Sequence, residues 1–304
     1  MAVKTVQAVI NGVTTTLTYN STSKKYEATI TAPATSSYNN NDGHYFPVTI
    51  KATDEAGNVT TKNDTDATLG SSLQLHVKEK TAPAITITYP TASALIINNK
   101  PAIRWKVTDN DSGVNPDTIG ITIDSGSKVT GSAITKTAIT GGYDCTYTPT
   151  TALADGSHTI KIDAADNDGN AATQKSVTFK IDTVPPTLSV TAPVNGLITN
   201  KAACTVTGTT NDITSSPVTV TVKLNSGSAE AVTVGADGSF SKALTLVSGG
   251  NTITVVATDS AGKSTTVTRT VTLDTVAPTI KAVTLTPNPV DAGKTYVISV
   301  EVTD

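Results

Sequence analysis

The sequence predicts an all-β chain of tandem sandwich domains joined by short Pro-containing linkers, and three observations carry that prediction. The first is a hairpin signature met three times, each time after an alternating strand: Ala52-Thr-Asp-Glu-Ala-Gly57-Asn58, Ala164-Ala-Asp-Asn-Asp-Gly169-Asn170 and Ala257-Thr-Asp-Ser-Ala-Gly262-Lys263. The second is a linker signature, Glu79-Lys-Thr-Ala-Pro83-Ala-Ile85, Asp182-Thr-Val-Pro-Pro186-Thr-Leu188 and Asp274-Thr-Val-Ala-Pro278-Thr-Ile280, which aligns without gaps. The third is composition along the chain. Thr and Val dominate the periodic stretches, and side chains stiff at χ1 suit a pleated, half-buried surface. No amphipathic helical stretch of useful length interrupts them. Repetition of one β unit points to a protein that positions or attaches something, whereas an enzyme concentrates unlike residues in one pocket.

The linkers set the boundaries. Their acids stand 103 and 92 residues apart, the size of a sandwich unit and too long for a solenoid repeat. The expected domains are therefore 1–78, 79–181, 182–273 and a partial repeat, 274–304. Proline fixes φ and removes a donor, so each junction is expected to be short and stiff. With strands of about ten residues at ~3.3 Å each, three domains in line would give a rod of order 100 Å.

The first domain reads as a variant sandwich. It opens with a hairpin at Asn11-Gly12, carries Asp42-Gly43-His44 before its last hairpin, and has extra residues from Asn63 to Ser72. Variation at one end of an array suits a cap or docking domain. In the second domain Trp105 alternates with Ile103 and Val107, which places it in the core. Its closing hairpin alternates from Leu153 to Asp166 and from Val177 to Ile181. The third domain repeats that hairpin from Leu246 to Asp259. His158 stands as far before Asp166 as Asn251 does before Asp259, and His44 reads as the first domain's version of the same hydrogen-bonding position. In each Asp-x-x-Gly turn the carboxylate is expected to accept backbone N–H groups while Gly takes the left-handed conformation.

The last segment matches the start of the second domain in length and in ending, Val300-Glu-Val-Thr-Asp304 against Trp105-Lys-Val-Thr-Asp109. It holds only the first two strands of a repeat, and a lone pair of strands is marginal in water. Either it is cut from a longer array or a neighbouring subunit completes it by strand addition, making 274–304 a homo-oligomer contact.

Composition excludes several classes. The chain has 304 residues, 37% hydrophobic and only 4% aromatic, so its cores are small and built from Val, Ile, Leu and Ala. A net charge of -3 without any Lys/Arg cluster leaves little to neutralise a phosphate backbone, so nucleic acid is not an expected partner. No apolar run approaches the ~18 residues of a transmembrane helix, so membrane insertion is not expected. The chain starts on a strand, Val3 to Ile10, with neither the basic nor the apolar region of a secretory signal, and export by that route is not expected. Cys145 and Cys204 fall in different repeats and read as two buried thiols. No catalytic residues are assigned: hydrolase, zincin, phosphate-loop and dinucleotide motifs are missing, and three scattered histidines do not assemble a site.

Two sets of binding candidates remain. Asp109, Asp111, Asp166 and Asp168, with the linker acids Glu79, Asp182 and Asp274, offer oxygens of the kind calcium takes, but calcium wants six to eight of them and the full Asp-x-Asp-x-Asp-Gly loop is missing. Turn chemistry and calcium both remain open. The second set is Tyr38, Asn40, Asp42, His44 and Tyr45, where aromatic faces and amides gather in one loop, the combination that stacks on and hydrogen-bonds a sugar or a partner surface. The alternative is an ordinary polar connection whose aromatic end packs inward.

The Asp-Thr-Val-Pro-Pro-Thr linker, Trp105-Lys-Val-Thr-Asp-Asn-Asp-Ser-Gly113-Val, Asp155-Gly-Ser-His158-Thr-Ile and the Ala-x-Asp-x-x-Gly-Asn turn resemble the bacterial immunoglobulin-like repeats of surface adhesins and tailed-phage virion proteins. The resemblance covers residues 79 to 273 well and the first domain loosely. It implies tandem immunoglobulin-like sandwiches that are non-catalytic and serve as spacer, decoration or adhesive module. It also implies virion or surface-assembly subunits, and carbohydrate, as partners. Lack of a signal and anchor favours a virion protein assembled in the host cytoplasm; the alternative is a rod on the bacterial cell surface, stiffened by calcium.

Overall fold

The computed structural model describes residues 2–304. Among them are 24 strands and two short 3-10 turns, with no α-helix. The chain divides into two compact units, the first ending at Ile181 and the second beginning at Asp182.

The first unit opens with β1 (Val3–Ile10), β2 (Val13–Asn20), β3 (Lys25–Glu27), β4 (Phe46–Asp54), β5 (Val59–Lys62) and β6 (Gln74–Leu75). Asn11 and Gly12 both take positive φ, 48° and 75°, as a two-residue hairpin between right-twisted strands requires. These strands depart from the sandwich expected for 1–78. They lie in one sheet, ordered β3-β2-β1-β4-β5, with β6 paired to the start of β4. The physical reason is a shortage of apolar side chains: only Ala8, Phe46 and Leu73 are buried hydrophobics here, too few to hold two sheets together.

The second domain contains β7 (Ala84–Tyr89), β8 (Leu95–Ile96), β9 (Ile103–Thr108), β10 (Val114–Ile123), β11 (Thr135–Ile139), β12 (Gly142–Tyr147), β13 (Gly156–Asp166) and β14 (Lys175–Ile181). They form two four-stranded sheets, β10-β13-β14-β8 and β11-β12-β9-β7. Strict alternation on β9 turns Ile103, Trp105 and Val107 inward and leaves Arg104 and Lys106 exposed. Those three meet Ile119, Ile121, Ile160, Ile162 and Phe179 of the other sheet in one core.

The second unit repeats this plan with β15 (Thr187–Ala192), β16 (Leu197–Thr199), β17 (Ala203–Asn211), β18 (Thr219–Leu224), β19 (Glu230–Val232), β20 (Ser239–Thr245), β21 (Gly249–Thr258) and β22 (Ser264–Leu273). Its sheets run β15-β17-β20 and β16-β22-β21-β18-β19. In both domains the opening segment splits between sheets: β7 and β15 pair antiparallel in one, while β8 and β16 pair parallel with the last strand of the other. Each sandwich is thereby laced to its own C-terminal strand.

Both cysteines are free and buried, as the strand alternation predicts. Burial pushes the Cys145 thiol up to about 11 and raises that of Cys204.

The unit closes with β23 (Thr279–Thr286) and β24 (Val297–Thr303), a two-stranded sheet. Ile280 faces Val302, Val283 faces Val300 and Leu285 faces Ile298, yet all six are exposed. Ile298, Val300 and Val302 hold the sequence positions of Ile103, Trp105 and Val107, whose burial in the second domain depends on the facing sheet.

Candidate functional site: carboxylate centres at the domain starts

The Asp-x-x-Gly turn is built alike in all three domains. Asp54, Asp166 and Asp259 each accept the backbone N–H four residues on, at 2.8, 2.7 and 2.9 Å, and Gly57, Gly169 and Gly262 all have positive φ. In domains two and three this turn stands beside the linker acid and the end of a core strand. Glu79, Asp109 and Asp166 therefore converge, each offering a carboxylate oxygen within 4.8 Å of the other two, and Asp182, Asp212 and Asp259 do the same. Asp166 and Asp182 are each 1% exposed, and Asp109 and Asp259 are also buried.

Local backbone holds the carboxylates in place. In the first centre Glu79 Oε1 accepts the Ser112 N–H at 2.7 Å, and Asp109 Oδ1 accepts those of Asp111 and Gly113 at 3.0 and 2.8 Å. In the second, Asp212 Oδ1 accepts Thr214 and Ser215 N–H at 2.8 and 2.7 Å, and the Ser215 hydroxyl donates to Asp182 Oδ2. Among the described residues no lysine, arginine or histidine forms an ion pair with any of the six acids.

Two of the four aspartates read as calcium candidates, Asp109 and Asp166, meet in the first centre. The other two do not join them. Asp111 accepts the Ser36 N–H on both carboxylate oxygens, at 2.9 and 3.1 Å, and Asp168 Oδ2 accepts the Glu79 N–H at 3.0 Å. Both are spent where the second domain meets the preceding segment, because they lie on loop tips rather than at strand ends. Asp212, Asp259 and the serines were not singled out from sequence. A signal was present: the interval from Asp182 to Asp212 equals that from Glu79 to Asp109.

The aromatic loop closes on itself. Tyr38 and His44 stack with ring centroids 4.0 Å apart and planes 8° from parallel. Asn40 Nδ2 donates to Tyr45 O at 2.7 Å, and the Tyr45 hydroxyl donates to Asp64 at 3.0 Å. Asp42 and the edge of His44 remain exposed, while Ser36 and Ser37 are buried.

The equivalence read between His44 and His158 does not hold. His44 lies in this loop ahead of β4, and Phe46 takes the place eight residues before the turn aspartate. His158 is buried on β13, its Nδ1 2.8 Å from Asp124 Oδ2 and its Nε2 2.7 Å from the Ala154 carbonyl. Both partners are acceptors, an arrangement that favours a proton on each ring nitrogen. Burial opposes the charge, but the Ala154 carbonyl and the Asp124 carboxylate outweigh it and hold His158 above its usual value. In the third domain Asn251 bonds Val247 O at 2.7 Å and meets Asn225 at 3.2 Å, a neutral copy of the same pair.

The pH dependence follows from the direction of that shift. A raised histidine contributes stability that is complete below its unfolded value, ~6.5, and lost as pH rises through the higher folded one. The second domain should thus be less stable at pH 9 than at pH 6. The check is urea unfolding followed by fluorescence of Trp105, the chain's one tryptophan, in the parent and in His158→Asn, whose midpoint should vary less over this range.

Comparison with known proteins follows the domain plan. Residues 91–183 match the family of bacterial Ig-like domains, and residues 186–275 match glucodextranase, domain B. No curated protein matches the chain. Among solved structures, an I-band fragment of titin is 13% identical, with 90% of this chain and 88% of that chain covered and a TM-score of 0.45. The fibronectin(III)-like modules of Clostridium thermocellum CbhA are 19% identical, with 63% and 94% covered and a TM-score of 0.32. Two laced sandwiches in succession, with the bacterial Ig-like match falling on the first of them, give this chain a fold of tandem immunoglobulin-like β-sandwiches.

Proposed function

We propose that this protein is a non-enzymatic structural component of a phage virion, in tail or capsid, whose repeats present an attachment surface for host or mucosal glycans. The observation that supports this reading is duplication. Domains 79–181 and 182–273 repeat one sandwich down to the parallel lacing strand, the acid trio and the Asp124–His158 or Asn225–Asn251 pair. What is repeated is a scaffold, and a scaffold copied along a chain serves placement. The single-sheet first domain is the docking element, and the loop bearing Tyr38, Asn40, Asp42, His44 and Tyr45 is its contact surface. Partners are other subunits of the assembly, with a second copy of the chain engaged through 274–304.

A second reading, a bacterial cell-surface adhesin or spacer, is favoured by the acid trios, because extracellular modules work at calcium levels near 10⁻⁴–10⁻³ M. Fractionation of producing cells separates the two. Co-sedimentation with particles, lost when residues 1–78 are deleted, is the expected result; recovery on the bacterial surface assigns the protein to the second class.

A further inference from the structure

We propose that the second domain builds the contact surface of the first: Asp111 and Asp168, on two loop tips of the second sandwich, are positioning residues that order the loop bearing Tyr38 and His44, an assignment that rests on that loop being the contact surface. Asp111 grips the base of the loop. Its carboxylate takes the Ser36 N–H on both oxygens, at 2.9 and 3.1 Å, and its carbonyl takes the Asn39 side-chain amide at 2.5 Å. Asp168 grips the chain where it leaves the first domain, its Oδ2 accepting the Glu79 N–H at 3.0 Å and its carbonyl lying 3.4 Å from Lys78 Nζ. The two grips are joined through the first domain. Ser37 donates its N–H to the Val77 carbonyl at 2.9 Å and its hydroxyl to the His44 carbonyl at 2.7 Å, and His76 Nδ1 lies 2.9 Å from that same carbonyl. A connected run therefore leads from Asp111 through the loop to Val77 and on to Asp168. Asn167 closes the circuit on the other side, donating to the Ser112 carbonyl at 2.9 Å and so bracing the two tips against each other.

A sandwich does not need these two acids. The third domain closes with the same Asp-x-x-Gly turn but has Ala261 where the second has Asp168, and the first domain has Ala56 there. Counted from the linker acid, Thr214 stands where the second domain has Asp111. Their reason lies instead in the domain they hold. Residues 1–78 bury only Ala8, Phe46 and Leu73 as hydrophobics, and a segment of that length with so little core is marginal alone. Ser36 and Ser37 are nevertheless 6% and 3% exposed, and polar backbone buried to that degree requires partners. A carboxylate is the suitable one, because a charge-assisted hydrogen bond is about twice as strong as a neutral one.

The surface that results is a composite. A cavity of about 140 Å³ opens at the junction, lined by Tyr38, His44, His76 and Lys78 from the first domain and by Asn167 and Asp168 from the second. Its walls keep their shape only while both grips are closed. A partner that reads the Tyr38–His44 stack thus meets Asn167 as well.

The test is amide hydrogen exchange of the full chain, read by mass spectrometry over 34–46 and 74–79. Asp111→Ala should speed exchange over 34–46 by about 10- to 100-fold, the effect of losing a hydrogen bond to a charged group, and Asp168→Ala should do the same over 74–79. Asp111→Asn keeps an acceptor oxygen and should restore most of the protection, a rescue that a role in packing would not produce. Asn39→Ala removes a donor from the first domain's side and should loosen the same segment, which keeps the test valid if Asp111→Ala disturbs the second sandwich. Unchanged protection over 34–46 in both Asp111→Ala and Asn39→Ala, or no rescue by Asp111→Asn, would overturn the assignment. Particles play no part in these readings, so the proposed function is tested separately.

Discussion

Phe179→Ala is expected to destabilise the second domain by about 3–5 kcal/mol, raising its unfolding constant by two to more than three orders of magnitude. Phe179 lies on β14 with no exposed surface, in the layer where Trp105, Ile119, Ile121, Ile160 and Ile162 meet. Removing its ring leaves a cavity between two sheets that hydrogen bonding holds at fixed spacing, so the site collapses little. His158 also loses the ring that packs 5.9 Å from its own. The chain supplies its own reporters. Trp105 fluorescence and Cys145 labelling follow the second domain, and Cys204 labelling follows the third. The expected result is an earlier Trp105 transition and faster Cys145 labelling, with Cys204 protection unchanged. Equal loss of protection at both thiols would show that the repeats unfold together and would refute independent domain stability.

Gly142→Ala is expected to cost about 3 kcal/mol, the upper end for overpacking, although it adds one methyl group to an all-β chain. Gly142 opens β12 and pairs with Thr108 on β9 and Ile139 on β11. A Cβ there would stand 2.0 Å from the Val107 carbonyl oxygen and 2.9 Å from Thr108 Cα. Both are backbone atoms of the central core strand, so neither can swing aside as the tip of a side chain would. Relief requires β9 and β12 to part at the point where β9 runs into Asp109. The variant should therefore unfold its second domain at lower denaturant, read from Trp105 fluorescence, while Cys204 in the third domain keeps its protection. An unchanged Trp105 transition would contradict this account.

Much of the molecule was legible in the sequence because its determinants are local. Period-two alternation on β9, β12 and β17 specified which residues face the core, so the burial of Ile103, Trp105, Val107 and both cysteines could be read directly. Turn chemistry is local too: a carboxylate that accepts the N–H four residues on needs no distant partner, and Asp54, Asp166 and Asp259 behave alike. The all-β class and the repeat followed from these alone.

Contacts across long sequence intervals were decided by tertiary structure. Asp109 and Asp111 are separated by a single residue, Asn110. One stands at the strand end and joins Glu79 and Asp166, while the other reaches across to Ser36. His44 and His158 share a residue type and a place before a hairpin, yet one stacks on Tyr38 in a loop and the other is buried against Asp124. Whether 1–78 forms one sheet or two depended on how much apolar surface was left to hold a second layer. Alternation and turn signals are set by residues next to one another, so sequence by itself determined the strands, the repeat and the inward faces. Sheet stacking and the meeting of distant acids depend on where strand ends arrive in space, and only the folded sandwich brings those ends together.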